Sequence, residues 1–207
     1  MSESYYKVLK RRIISRDGEY QRVSILASGN ARVVYVPGIP AKAPAWLAEH
    51  GYHLTIFSSL ADAVRFLLLD ITSVSRRAEI WTCDADGVTS DLPPALPYLS
   101  IVADFQLAHT RYLRRVGTPS AFTGFPNGTS MATSVVITRR LSIVDIIRAG
   151  VNLGMTEDNL HRLLESLWWP GHIPFGMISI KARSTRIRRA DNLINLLTEE
   201  TITHQNL

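Results

Sequence analysis

Ser130, within Gly128-Thr129-Ser130-Met131-Ala132, is the residue of this 207-residue chain that most directly suggests covalent chemistry. A serine hydroxyl becomes a nucleophile when a histidine accepts its proton and a carboxylate orients that histidine. The sequence offers two tripeptides as sources of these partners, His50-Gly51-Tyr52 and Asp86-Gly87-Val88. A catalytic Ser130 therefore depends on whether its flanking sequence provides the required setting.

The pentapeptide resembles the sequence around the nucleophile of subtilisin-like serine proteases. That family implies a long buried helix directly after the serine, a His-Gly-Thr motif for the base and a catalytic domain longer than this chain. Here residues 133–138 read Thr-Ser-Val-Val-Ile-Thr, which is typical of a β-strand, and His50-Gly51 lacks the threonine. We therefore predict that Ser130 is not catalytic and that Asn127-Gly128 forms a turn before a strand. No catalytic residue is predicted.

Two further patterns suggest metal binding. Asp84-Ala85-Asp86-Gly87 is similar to the start of a calcium loop, but Pro93 stands where the loop needs a bidentate glutamate. His50 and His53 lie close to Glu49, yet no third ligand of matching spacing accompanies them. The sequence therefore predicts no metal and no cofactor.

Composition indicates a globular, basic protein. The chain is 46% hydrophobic and 20% charged, with a net charge of +5 and a pI near 9.6. Cys83 is the single cysteine, which excludes an intrachain disulfide and a cysteine-based zinc cluster. The N-terminus has no apolar signal region, and the longest apolar run is too short to span a bilayer. We expect a cytoplasmic protein that does not associate with membranes.

The N-terminal part, residues 1–141, is predicted to be an α+β domain built on a small, mostly antiparallel sheet or half-barrel with flanking helices. Strands are predicted, from β-branched and alternating residues, at 5–14, 20–26, 32–36, 53–57, 78–83 and 132–141. Helices are predicted, from apolar spacing, at 59–69 and 104–116. The first three strands should form a meander, and prolines exclude regular structure in 37–44.

The order of Gly51-Tyr52-His53, strand, helix and strand resembles the core of ADP-ribosyltransferase-like half-barrels. It is also similar to small uncharacterised bacterial and phage domains. The enzyme family implies NAD chemistry with a catalytic glutamate on a late strand. Residues 132–141 contain no acid, and Glu199-Glu200 lies in the C-terminal tail. The resemblance therefore extends to the fold and not to the activity.

Residues 142–207 are predicted to form a second, winged-helix-like domain. Ser142 and Thr156 are candidate N-caps for helices at 143–149 and 157–168, separated by a turn at Gly154. This pair resembles a helix-turn-helix. A wing from about residue 170 to 181 and a last helix at 190–199 should follow.

The basic charge and the helix-turn-helix-like unit lead us to expect a non-enzymatic binding protein that engages DNA or RNA through phosphate contacts. The predicted nucleic-acid-binding residues are polar or basic side chains of the second helix and of the basic run after the wing. They are Asn159, His161, Arg162, Lys181, Arg183, Arg186, Arg188 and Arg189. Two alternatives stay open. One is a protein-interaction or assembly component of phage or mobile-element origin, including a homo-oligomer. The other is an ADP-ribosyltransferase-like enzyme or a degenerate relative.

Overall fold

The computed structural model describes residues 4–15, 17–25, 31–49, 51–68, 77–91 and 126–168, together with Asn192, Ile194 and Asn195. These residues form an α+β fold in which one antiparallel sheet carries helices on one side. The predicted fold class is confirmed to this extent.

Eight strands belong to the sheet within the described residues. In chain order they are β1 (Tyr5–Ile13), β2 (Tyr20–Ser24), β3 (Val34–Tyr35), β4 (Ala41–Lys42), β5 (Leu54–Phe57), β6 (Ala78–Asp86), β7 (Thr129–Ala132) and β8 (Ser134–Arg140). Their main order is β3-β2-β1-β6-β8-β4, and β5 pairs with both β1 and β7.

The sheet curls into a nearly closed, barrel-like shape because β1 pairs with β6 along one edge and with β2 and β5 along the other. β7 continues this curl: it pairs with β5, and Met131 also bridges to Thr89, just beyond the end of β6. Strands β1, β6, β7 and β5 thus enclose one end of an interior.

Four helices are present in the described part of the chain: α1 (Ala45–Ala48), α2 (Leu60–Leu67), α3 (Ile143–Asn152) and α4 (Glu157–Ser166). The three longer helices begin at Ser59, Ser142 and Thr156, as predicted. Each of these side chains accepts a hydrogen bond from the backbone N–H three residues later. Gly154 has a φ of +68° and allows the turn between α3 and α4.

Apolar side chains form two main clusters, one on each face of the sheet. The interior cluster includes Leu9, Tyr35, Ile56, Cys83 and Ile137. The outer cluster lies between the sheet and helices α2, α3 and α4. The helices that follow Leu141 therefore share a core with α2, while the domain boundary near residue 141 stays a prediction.

The meander of β1, β2 and β3 is confirmed, and so are the two strands and the one helix predicted between residues 53 and 86. The prediction that residues 37–44 contain no regular structure is wrong at Ala41–Lys42. These two residues lie between prolines, and they form a short strand that pairs with the edge of β8. The predicted strand 132–141 starts earlier and is interrupted at Thr133. There the chain changes partners, from β5 to β6 and β4.

Four other predictions concern the second half of the chain. The helix predicted to reach residue 168 ends at Ser166, because Trp168 instead hydrogen-bonds to the backbone of Ala78. Asn192, Ile194 and Asn195 are helical, within the predicted last helix. The predicted helix 104–116 and wing lie outside the described residues.

Candidate functional site

A polar row crosses the interior face of the sheet at the end where β2 joins β1. Arg11 of β1 lies directly opposite Arg22 of β2, and Leu9, two residues earlier, lies opposite Glu79 of β6. Trp81 is two residues beyond Glu79 and opposite Arg140 of β8. Because paired residues and residues two apart share a face, strand pairing alone places the arginines and the glutamate on one side.

Glu79 is the centre of this row, and its side chain is only 1% exposed. Its carboxylate lies 3.8 Å from Arg11, 3.3 Å from Arg22 and 3.6 Å from Arg140, measured between the nearest nitrogen and oxygen of each ion pair. Trp81 Nε1 donates a hydrogen bond of 2.9 Å to the same carboxylate. We call Arg11, Arg22, Arg140 and Glu79 the arginine cluster.

Aromatic rings separate the guanidinium groups of the arginine cluster. Arg11 lies between Tyr20 and Trp168, with its guanidinium carbon 3.1 and 3.5 Å from the two ring centroids. Arg140 also lies over Trp168, at 4.9 Å, and Arg22 over Trp81, at 4.7 Å. Such stacking holds the guanidinium planes in fixed orientations.

Trp168 reaches the cluster because the chain returns to the sheet after α4. Leu167 forms a parallel bridge with Ala78, and the Trp168 N–H donates to the Ala78 carbonyl at 2.8 Å. The end of α4 therefore covers two arginines of the sheet with an indole ring.

The arginine cluster carries an excess of positive charge, since three guanidiniums face one carboxylate. Burial lowers the pKa of Arg11, Tyr20 and Glu79 raise it, and the neighbouring Arg140 and Arg22 lower it further. Arg11 Nη1 and Arg22 Nε are buried and make no hydrogen bond with the described residues. The outer edges of the three side chains stay accessible, at 13, 21 and 32% exposure for Arg11, Arg22 and Arg140.

This arrangement suits recognition of an anion. Guanidinium groups stay charged at every physiological pH and bind the oxygens of phosphate or carboxylate in pairs. An anion bound beside Arg140 would compensate the positive charge of the cluster that Glu79 does not neutralise. The cluster contains no free base or nucleophile, because Glu79 is engaged by three cations and Trp81.

No family model, curated protein or solved structure matches this chain. The resemblances to a helix-turn-helix and to ADP-ribosyltransferase-like half-barrels therefore remain predictions.

The predicted nucleic-acid-binding residues are only partly described. Asn159, His161 and Arg162 lie together on α4: Arg162 Nη1 donates to Asn159 Oδ1 at 3.4 Å, and His161 lies 3.8 Å from Glu157. The exposed residues of α4 also include Asp158 and Glu165. The predicted contacts Lys181, Arg183, Arg186, Arg188 and Arg189 lie outside the described residues.

The other candidates of the sequence do not form a site in the described part of the chain. Ser130 lies in β7 opposite Ile56, and it makes no hydrogen bond to a histidine there. No three described side chains of His, Cys, Asp or Glu are arranged to hold a metal ion. None of the described helices has the length and apolar character needed to cross a membrane.

Sequence reasoning missed the arginine cluster. Its members come from strands far apart in the chain, so no local spacing brings them together. One signal was present: Glu79 stands between Ala78 and Ile80 in a strand of buried residues. A carboxylate in such a strand requires a cationic partner on the same face.

Proposed function

We propose that the protein binds nucleic acid through its phosphate backbone and that the arginine cluster is the contact site. The observation that carries the proposal is the ratio of three guanidiniums to one carboxylate at a partly exposed position. The proposed activity is binding without catalysis.

The charges around the cluster support a polyanionic partner. The whole chain carries a net charge of +5, so its field attracts polyanions. Lys10 is next to Arg11 in β1 and on the opposite face of the sheet; burial lowers its pKa, and the positive charges of Arg32 and Arg77 lower it further. Several cations thus lie near one end of the sheet, and a repeated anion such as a phosphate backbone can contact more than one of them.

The site also favours contacts that do not depend on base sequence. Arg11 and Arg22 are largely covered by aromatic rings, and only their edges reach the surface. Such edges can bind phosphate oxygens but are too short to enter a groove and read bases. Binding should therefore be weakly sequence-selective and strongly dependent on salt.

Fluorescence anisotropy with a labelled random-sequence oligonucleotide, as single strand and as duplex, tests the proposal. We expect affinity to fall at least tenfold between about 50 and about 200 mM salt, as several phosphate contacts predict. Arg140→Gln should weaken binding about three- to tenfold and reduce the slope of log K against log salt by about one.

Arg139→Gln is the matched control, because Arg139 is adjacent in β8, is exposed and lies outside the arginine cluster. It removes the same charge and should leave most of the affinity. Equal effects of the two variants would show that net charge alone acts. Absence of binding at low salt, or binding unchanged by salt, would reject the proposal and leave the assembly role as the better reading.

The basic run predicted from the sequence can be compared in the same assay. A triple variant with Arg186, Arg188 and Arg189 changed to Gln measures its share of the affinity. If this variant abolishes binding and Arg140→Gln has no effect, the contact site lies in the C-terminal segment and not at the arginine cluster.

A further inference from the structure

A cavity adjoins the arginine cluster: of its lining residues, Tyr35 is opposite Arg22 and Lys7 is opposite Trp81. Its lining comes from β1, β2, β3, β5, β7, α2 and the segment around α1, and it includes the rings of Tyr35, Tyr52, Phe57 and Phe66. The space measures about 660 Å³ with its solvent-open mouth included. Lys7 of β1 also lines it, four residues before Arg11 and thus roughly 13 Å away along the strand.

Lys7 is an unpaired cation in this cavity. It is 5% exposed, and its ammonium donates a hydrogen bond to the backbone carbonyl of Thr55. Its Nζ also lies 5.4 Å from the centroid of the Tyr35 ring. No carboxylate of the described residues forms an ion pair with Lys7.

A buried ammonium without a counterion is costly. The pKa of Lys7 shows this cost, since burial lowers it to about 8 and the neighbouring Cys83 only partly opposes the shift. At neutral pH most Lys7 side chains nevertheless keep their proton. The ammonium has three N–H donors, of which the Thr55 carbonyl takes one.

Tyr35 is a second polar group in the cavity whose hydrogen bonding is incomplete. Its hydroxyl is buried and makes no hydrogen bond with the described residues. Burial raises the pKa of Tyr35, and the adjacent Ser24 hydroxyl, which accepts a hydrogen bond of 3.1 Å from the Val33 N–H, partly opposes that rise. Buried hydroxyl groups are normally paired, and the Tyr35 hydroxyl can donate to an acceptor that enters the cavity.

We propose that the cavity binds a small apolar monocarboxylic acid, whose carboxylate contacts the Lys7 ammonium and the Tyr35 hydroxyl. One negative charge neutralises the one unpaired cation, and the two carboxylate oxygens can accept from both donors. The aromatic and aliphatic walls surround the apolar part of the ligand. A phosphate dianion would bring a second charge, which among the described lining residues only a protonated His53 could compensate.

Benzoate and its uncharged analogue benzamide are suitable probes, because they differ in the charged group and little in shape. We expect isothermal titration calorimetry on the full chain near neutral pH to show benzoate binding at least about tenfold tighter than benzamide. Equal affinities, or no benzoate binding at millimolar concentration, would overturn the proposal.

Two variants locate the carboxylate. Lys7→Met keeps the side-chain volume and should reduce benzoate affinity to the level of benzamide, and Tyr35→Phe should weaken it about threefold or more. Lys42→Met removes the same charge from an exposed position of β4 and should leave benzoate binding unchanged. A Lys7→Met protein that still prefers benzoate over benzamide would contradict the proposed contact.

Proton uptake tests the same contact without any variant. A carboxylate beside Lys7 stabilises the ammonium, so binding near pH 8 should take up about half a proton from the buffer. Calorimetry in two buffers of different ionisation enthalpy measures this number. Binding of benzoate without proton uptake would place the ligand away from Lys7. None of these results depends on nucleic-acid binding by the arginine cluster.

Discussion

Arg11 and Arg22 are directly opposite each other in the antiparallel ladder of β1 and β2. Like charges in such a pair normally destabilise a sheet. Here both guanidiniums turn toward Glu79, which lies on the neighbouring strand β6 opposite Leu9, two residues along β1 from Arg11. The position of one carboxylate thus allows the sheet to hold two adjacent cations, and Arg140 adds a third from the other side.

Glu79→Gln should lower the free energy of unfolding by about 3 kcal/mol, because it leaves three partly buried guanidiniums without a counter-charge. The shape of the side chain and the contact with Trp81 are nearly kept. Urea denaturation followed by tryptophan fluorescence measures the change. Glu19→Gln, at an exposed position, is the control and should change stability by less than about 0.5 kcal/mol.

The same variant separates stability from binding. If the arginine cluster binds phosphates, Glu79→Gln should keep or increase nucleic-acid affinity, because it removes the negative charge from the site. Arg140→Gln should act in the opposite direction. A Glu79→Gln protein that stays folded and binds more weakly would indicate that the orientation of the arginines matters more than their charge.

Lys7→Met should change the pH dependence of stability. With a folded-state pKa of about 8 against 10.5 for an ordinary lysine, Lys7 binds its proton less readily in the folded chain. Its penalty is fully present below pH 8 and disappears as the pH rises to 10.5, so wild-type stability gains about 3 kcal/mol relative to Lys7→Met over that range.

Denaturation of both proteins at each pH gives this difference directly. Burial also raises the pKa of Cys83 to about 12, which decreases stability as the pH rises from 9 toward 12. Tyr52, whose pKa burial likewise raises to about 12, acts in the same direction. Lys7 itself lowers the pKa of Cys83, but the thiol of the folded protein stays neutral up to about pH 12, so the comparison isolates Lys7 over the range from pH 8 to 10.5. A difference that stays constant with pH would show that Lys7 titrates normally.

Local patterns in the sequence were sufficient for most elements of the fold. Capping residues such as Ser59 and Thr156 act within one helical turn, and a turn residue such as Gly154 acts on its own backbone. These effects can be predicted from a few neighbouring residues in the sequence. Strand boundaries at Thr133 could not be predicted, because a change of partner depends on strands distant in the sequence.

The two candidate sites show the same limit. In the sequence, Lys7 is simply one charged residue of an alternating strand. Only the pairing of β5 with β1 places it in a cavity. Arg140 follows Arg139 in the sequence, yet one belongs to the arginine cluster and the other is exposed to solvent. Strand periodicity separates their faces, but it does not identify which face meets a carboxylate from another strand.

Cys83 should be unreactive in the folded protein. It is 1% exposed, and burial raises the pKa of its thiol to about 12, so almost no thiolate exists near pH 8. Iodoacetamide followed by mass spectrometry should show no adduct in native buffer and complete labelling in denaturant. Because Cys83 is the only cysteine, the labelling rate then reports opening of the interior cluster. Rapid labelling of the native protein would contradict its placement.

Gly150→Ala should destabilise the α3–α4 hairpin, although alanine normally favours a helix by about 1 kcal/mol over glycine. A Cβ at this position would lie 2.8 Å from Leu160 Cδ2 and 3.3 Å from both Leu163 Cδ2 and Met155 Sδ. Overpacking of a buried contact costs about 1–3 kcal/mol, so we expect a net loss of about 1 kcal/mol in the free energy of unfolding, measured by urea denaturation.

Leu160→Ala removes the closest contact, and in that background Gly150→Ala should become neutral or stabilising. Gly154→Ala is the control: its φ of +68° makes alanine unfavourable in open space, and this effect should be the same with either residue at 160. Additive effects of Gly150→Ala and Leu160→Ala would show that α3 and α4 are not in contact at Gly150.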